Sequence, residues 1–201
     1  MPAIILLAAG ASSRLGRPKQ LLTYQGQTLL RRAAETAVAA AAGAPVVMVS
    51  GAQHEALLPE LAGLPLVVEP CPNWAAGPGA SIKCGLRLLE TLCAAWTEVV
   101  VMLCDQPHVT PALLRQLTDT RAATGRAIVA SRYADTLGVP VLFGLEALPL
   151  LRQLPDAAGA GPLLRQHPAL VAAVPFPAGA IDVDTEAQYA ALLANNASAA
   201  K

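Results

Sequence analysis

The chain is predicted to fold as a single α/β domain over residues 1–201: a Rossmann-like, mostly parallel sheet with helices on both faces. Three observations carry this expectation. Short apolar runs rich in β-branched residues alternate with longer segments whose apolar residues recur every three or four positions. The apolar runs are nearly continuous, as expected for strands covered on both sides. At 201 residues the chain suits one domain with a substantial core, and no repeat or linker divides it.

Residues 3–8 form the first strand. Thr28 opens a helix to about residue 42: Leu29, Leu30, Ala33, Ala37 and Ala40 recur at helix spacing, the Thr28 hydroxyl caps the start and Gly43 ends it. Residues 45–50 are the second strand, 53–62 the second helix and 64–69 a third, short strand. Residues 70–79, dense in proline and glycine, are irregular, and a helix follows over residues 80–94. Residues 99–103, the most β-branched run, are expected at the sheet centre, closing on Cys104-Asp105-Gln106-Pro107. Thr110-Pro111, a cap followed by a first-turn proline, starts a helix to about Ala123, and residues 127–131 return to the sheet. The last third reads as a strand over 139–143, short helices over 144–151 and 162–166, a strand over 170–174 and an extended piece ending at Asp184. Thr185 caps a final helix to about Ala194, and residues 195–201 are expected to fray.

The first strand runs into Leu7-Ala8-Ala9-Gly10-Ala11-Ser12-Ser13-Arg14-Leu15-Gly16-Arg17-Pro18-Lys19. Small residues let a backbone approach a ligand, and such a turn can aim several N–H groups at one point, a nest for phosphate oxygens. Arg14 adds a planar fork and Lys19 a compact charge, together suited to a triphosphate. As loop cations with no core to support, both are expected to be dispensable for folding. Lys19 is followed by Gln20, so a P-loop ending is missing, and Gly10 and Gly16 do not make the dinucleotide spacing.

Asp105 also follows a strand directly, which puts it on the same carboxyl edge as Gly10, where open α/β sheets bind ligands. A carboxylate there can hold Mg²⁺, which takes one or two carboxylates plus substrate phosphates; the alternative is a turn cap before Pro107. Asp182 and Asp184 share a side if extended, and Asp184 could instead cap the last helix. Gly77-Pro78-Gly79-Ala80-Ser81 offers small residues that a planar base could approach, or an ordinary turn. Lys83 reads as a solvated helix charge, and Trp74 as a cleft wall or a shield for the core. His54, His108 and His167 have no partner pattern. Cys71, Cys84, Cys93 and Cys104 read as buried fillers.

Fourteen basic and fourteen acidic residues give zero formal net charge, which argues against nucleic acid or an anionic membrane as the main partner. No C-x-x-C pair or Cys/His grouping supports zinc, and scattered cysteines fit a reducing, cytoplasmic setting. The apolar run at residues 4–9 has no basic residue before it, unlike a signal peptide. Residues 37–49 contain Gly43 and Pro45 and are too short to cross a bilayer.

LLAAGASSRLGRPKQLL at residues 6–22, Gly77 to Ser81, Leu103 to Pro107 and Asp182-Val183-Asp184-Thr185 together resemble the MobA-like nucleotidyltransferases, most closely the molybdenum cofactor cytidylyltransferase branch. The resemblance implies a nucleotide-diphospho-sugar-transferase-like fold and Mg²⁺-dependent transfer of CMP from CTP to the phosphate of molybdopterin. It implies Arg14, Lys19 and Asp105 as catalytic residues, and Leu7, Ala8, Ala9, Gly10, Ser12, Ser13, Arg14, Lys19, Gly77, Gly79 and Ser81 as nucleotide contacts. Asp105 and Asp184 are implied as metal ligands, and a molybdenum hydroxylase or its maturation factor as a partner. Ala9 stands where GTP-using relatives carry a second glycine, which implies CTP over GTP. Two patterns depart from the family: Gly138-Val139-Pro140 stands for Gly-His-Pro, and Asp156 to Gly161 for Gly-Asp-x-Gly-Ala-Arg, both in the acceptor half. Transfer to a sugar or polyol phosphate, or a non-catalytic cofactor chaperone, are the rival expectations.

Overall fold

Strand β1 (Ala3–Ala8) is buried along its whole length and lies near the middle of a seven-stranded sheet. The computed structural model describes residues 2–92 and 95–199. After β1 come a hairpin of β2 (Thr23–Tyr24) and β3 (Gln27–Thr28), α1 (Leu29–Ala41), β4 (Val46–Ser50), α2 (His54–Leu57), β5 (Val67–Pro70) and α3 (Pro78–Thr91). Then follow β6 (Glu98–Leu103), α4 (Pro111–Thr124), β7 (Ile128–Tyr133), β8 (Thr136–Gly144), α5 (Leu148–Arg152), α6 (Ala160–Gln166), β9 (Val171–Pro175) and α7 (Glu186–Ala199). The sheet order is β5-β4-β1-β6-β8-β7-β9; β8 runs antiparallel to β6 and β7, and the other pairs are parallel. The predicted α/β class and mostly parallel sheet hold.

Local chemistry sets the element ends. Thr28 Oγ1 accepts from the Arg31 N–H at 3.1 Å and starts α1; Thr110 Oγ1 accepts from the Leu113 N–H at 3.2 Å and starts α4, with Pro111 in its first turn. The helix expected over 53–62 is one α turn followed by a 3-10 turn, Leu58–Leu61, because Pro59 has no N–H to continue the ladder. Strand β8 starts earlier than expected and forms a hairpin with β7 through Ala134 and Asp135, both at positive φ. Gln25 and Gly26 make the same kind of turn between β2 and β3, a pair the sequence reading did not assign. Residues 195–199, expected to fray, continue α7. Cys93 and the end of the helix expected to reach Ala94 lie outside the described residues.

Alternate residues of each strand feed two layers. Ile4, Leu6, Met48, Val100 and Met102 pack with Leu30, Ala34 and Leu114 of α1 and α4. Ile5, Val47 and Val101 pack with Ile82 and Leu86 of α3 and Leu151 of α5 on the other face. A third, smaller cluster of Leu15, Leu22, Tyr24, Leu29, Val183 and Leu192 docks α7 against the segment that follows β1.

Gly85 sets how closely α3 approaches the sheet. A Cβ there would stand 2.8 Å from Ile5 Cγ2 and 2.9 Å from Val49 Cγ2, both stiff β-branched side chains in the core. Alanine normally gains about 1 kcal/mol over glycine inside a helix. Overpacking costs about 1–3 kcal/mol and outweighs that gain. Gly85→Ala is therefore expected to lower stability in a urea melt, and a rise would contradict this packing.

The register positions the functional edge. Leu7 pairs with Leu103, so the loop after β1 and Cys104-Asp105 after β6 leave the sheet side by side; Ala8 pairs with Ser50, which brings Gly51 to the other flank. Among the described residues, no helix is long and apolar enough to cross a membrane.

Candidate active site

Three successive carbonyls where β1 runs into its loop, Ala8 to Gly10, are taken by protein donors. Gln20 is fully buried, and its Nε2 donates to Ala8 O and Gly10 O, both at 2.9 Å. Ala9 O accepts from the Ala52 N–H at 3.3 Å. Ser12, at positive φ, accepts from the Lys19 N–H at 3.0 Å and donates to Gln20 Oε1 at 3.3 Å. Among the described residues, no backbone N–H from Ala9 to Arg14 meets a protein acceptor. Carbonyls engaged and amides free is the arrangement of an anion nest.

Beside this loop two carboxylates converge on one ammonium. Lys19 Nζ bonds Asp105 Oδ2 and, at 2.6 Å, Asp184 Oδ1. Arg14 takes the other oxygen of Asp184 at 2.5 Å. Asp105 is almost completely buried, and its Oδ1 has no hydrogen-bond partner. Burial pushes the Asp105 carboxyl up, and the charge of Lys19 opposes the shift without cancelling it. Burial also opposes the Lys19 ammonium, but Asp105 and Asp184 outweigh it and raise its pKa. For Asp184 burial is again unfavourable, yet Lys19 and then Arg14 hold its carboxyl below the ordinary value. Two carboxylates around one cation, one with an orphaned buried oxygen, form a donor set that fits a hard divalent metal completed by phosphate oxygens and water. Among the described residues, no group of three or more metal-binding side chains occurs.

A cavity of about 320 Å³ opens next to this cluster. Leu7, Ala8, Ala9 and Gly10 line it with Leu103, Cys104 and Asp105, and Trp74, Gly77, Pro78 and Ser81 form the opposite wall. Trp74 packs over Gly51, where a Cβ would stand 2.7 Å from Trp74 Cγ and 2.4 Å from Ala9 O. Burial pushes the Cys104 thiol up to about 12, which keeps it protonated and inert.

Residues 4–171 match the model of one family, described as the MobA-like NTP transferase domain. The chain belongs to the MobA-like NTP transferase family. A relative named nicotine blue oxidoreductase, from Paenarthrobacter nicotinovorans, is 32% identical over 174 residues, 83% of each chain. A relative named "Probable molybdenum cofactor guanylyltransferase", from Bacillus cereus, is 34% identical over 106 residues, 52% of this chain and 49% of its own. The crystal structure of Rv0371C in complex with manganese, from Mycobacterium tuberculosis, is 31% identical, covers 96% of this chain and 97% of its own, and superposes with a TM-score of 0.71.

Within this MobA-like fold the predicted residues fall into groups. Leu7, Ala8, Ala9, Gly10, Lys19, Gly77, Ser81 and Asp105 border the cavity. Asp184 joins through Lys19 and Arg14 through Asp184, Ser12 supports the loop from within, and Ser13 is exposed. Gly79 has a different environment from the one expected. Its N–H donates to Asp156 O at 2.9 Å, and a Cβ there would stand 2.1 Å from Pro155 O, so it serves close packing with the 155–158 segment. Lys83 is no solvated charge: Nζ bonds Leu154 O at 2.8 Å and Asp156 Oδ1 at 2.6 Å. Asp182 accepts from Gln188 rather than meeting Lys19, and Val183 between the two aspartates is buried. Arg17, the third loop cation, pairs with Glu186 through two nitrogens and lies over the Tyr189 ring, which docks α7. Nor is Lys19 free of structural duty, as the sequence suggested, since it compensates a buried carboxylate. The role of Gln20 has no local signal in the sequence, where it stands as a second polar residue after Lys19.

Proposed function

We propose that this chain is an enzyme that transfers CMP from CTP to the phosphate of molybdopterin, the organic part of the molybdenum cofactor, and releases pyrophosphate. The observation that carries the reading is the meeting of free loop amides, two cations and two carboxylates on one sheet edge beside an apolar cavity. A phosphate monoester is already largely anionic at neutral pH, so it can attack without a general base. Positioning and charge neutralisation then carry the rate. The amides of residues 9–14 and Arg14 bind the triphosphate, and Lys19 stabilises charge that builds on the departing pyrophosphate. The base lies in the cavity between Ala9 and the Gly77–Ser81 wall. Asp105 and Asp184 hold a divalent metal, Mg²⁺ in this reading; the manganese complex of the Mycobacterium tuberculosis relative supports a divalent ion. When bound, such a metal neutralises phosphate charge. The reaction belongs to the cytoplasm, and its product suits a molybdenum hydroxylase or its maturation factor.

The choice of CTP rests on Ala9, a buried residue whose methyl narrows the wall where GTP-using relatives have glycine. One such contact discriminates by about 10–200-fold in kcat/KM. Incubation with each nucleoside triphosphate, Mg²⁺ and molybdopterin, read as pyrophosphate release, is expected to rank CTP above GTP, and Ala9→Gly to narrow the gap. Equal or better use of GTP, in keeping with the name of the Bacillus cereus relative, overturns the cytidylyl step and leaves nucleotidyl transfer standing. A second reading, an oxidoreductase acting on a compound like nicotine blue, is favoured by the name of the Paenarthrobacter relative. Pyrophosphate release strictly dependent on an acceptor phosphate separates the two.

A further inference from the structure

We infer that Gln20 is a positioning residue for phosphate binding: its buried side-chain amide fixes the carbonyls of Ala8 and Gly10 and so turns the amides of Ala9 and Ala11 outward. The inference rests on the nucleotidyl-transfer reading for the identity of the ligand, but its structural part stands on the loop alone. Gln20 has 1% exposure, and its amide nitrogen uses both hydrogens, one on Ala8 O and one on Gly10 O. A trans peptide directs the N–H of the next residue opposite to the carbonyl. Fixing the carbonyls of Ala8 and Gly10 on Gln20 therefore turns the N–H groups of Ala9 and Ala11 away from it. The carbonyl between them, Ala9 O, is taken by the Ala52 N–H, so the peptide joining Ala9 to Gly10 is held from outside the clamp and Gln20 sets the Ala9 and Ala11 amides.

The amide oxygen completes the clamp. It accepts from the Ser12 hydroxyl, and Ser12 Oγ accepts from the Lys19 N–H, so one side chain ties both halves of the loop to the start of the lysine turn. No other residue type of this size offers two donors and one acceptor in that arrangement. Glutamate has the same shape and can still accept from Ser12, but it cannot donate, and it would face two carbonyl oxygens with a negative charge. Methionine keeps the volume and removes both functions. With the clamp gone, the peptide planes on either side of Ala9 are free to rotate and the amides no longer converge on one point before the ligand arrives.

The test is calorimetric binding of inorganic tripolyphosphate and of CTP to the wild-type chain, Gln20→Glu and Gln20→Met, with thermal melts as a folding control. Expected are folded variants whose affinity for both probes drops by about 10²-fold, the cost of a misplaced binding group. For CTP in turnover, KM should rise more than kcat falls. The same affinity in all three proteins overturns the inference and spares the nucleotidyl-transfer reading; no binding of either probe by wild type overturns both. If the variants do not fold, hydrogen exchange in the wild type decides. The Gln20 side-chain N–H₂ is expected to be strongly protected, while the Ala9 and Ala11 amides exchange fast and become protected on adding tripolyphosphate. An unprotected Gln20 amide, or Ala9 and Ala11 amides indifferent to the probe, rules the clamp out.

Discussion

Asp105→Asn is expected to lower metal-dependent turnover by about 10²–10³-fold while the chain still folds. The substitution keeps the shape of a nearly buried side chain and removes its charge. Lys19 retains Asp184 as a partner, so no cation is orphaned. Burial already pushes the Asp105 carboxyl up, which means the ionised form is a burden on the folded state. The sign of the pH effect follows. A carboxyl whose pKa is raised on folding stabilises below the ordinary carboxylate range and loses that contribution as pH rises through the raised value. Asp184, held low by Lys19 and Arg14, works the other way, and its contribution is lost as pH falls through its lowered value. Urea melts across pH should therefore lose the high-side slope in Asp105→Asn and keep the low-side one. Pyrophosphate release measured in parallel gives the catalytic half; normal turnover would reduce Asp105 to a counter-ion for Lys19.

Lys19→Met is expected to damage both activity and stability. Removing one preorganised charge from a phosphoryl-transfer site costs about 10²–10³ in kcat. Removing one partner of a buried ion pair costs about 3 kcal/mol, because the other is left uncompensated. The Lys19 and Asp105 side chains are only 17% and 8% exposed, which places the pair in that class. Arg14→Ala is the control, since its side chain is 71% exposed and such pairs contribute roughly 0–1 kcal/mol. Equal melting temperatures for Lys19→Met and wild type would show that Asp105 finds compensation elsewhere.

The parts of this molecule governed by local rules were legible in the sequence. Strand β1 is a continuous apolar run, α1 and α4 carry threonine caps at the expected positions, and Gly10 and Asp105 follow strands, so the shared edge is legible in the sequence alone. What escaped depends on contacts between distant segments or on unmarked turns. Ala134-Asp135 adopts a turn that needs positive φ at two residues, with no glycine to announce it. Gly79 looks like room for a ligand; its close neighbours are backbone oxygens of residues 155–158, some eighty positions later. Arg14, Arg17 and Lys19 look alike as loop cations, but only tertiary structure assigns Arg17 to Glu186 and Lys19 to two aspartates.

The bonds that close this edge span nearly the whole chain: Lys19 to Asp184 covers 165 residues and Arg17 to Glu186 covers 169. Such contacts form late, because a long loop must close before they repay its entropy. On a ribosome the four parallel strands β1, β4, β5 and β6 and the loop after β1 emerge first, and domains acquire structure from that end. Between the synthesis of Asp105 and that of Asp184, Lys19 has only the first as a counter-charge, and α7 has yet to cover Leu15, Leu22 and Leu29. The sheet edge is therefore laid down before its charge set is complete: the second carboxylate joins the cluster only once the segment carrying Asp184 has docked with α7.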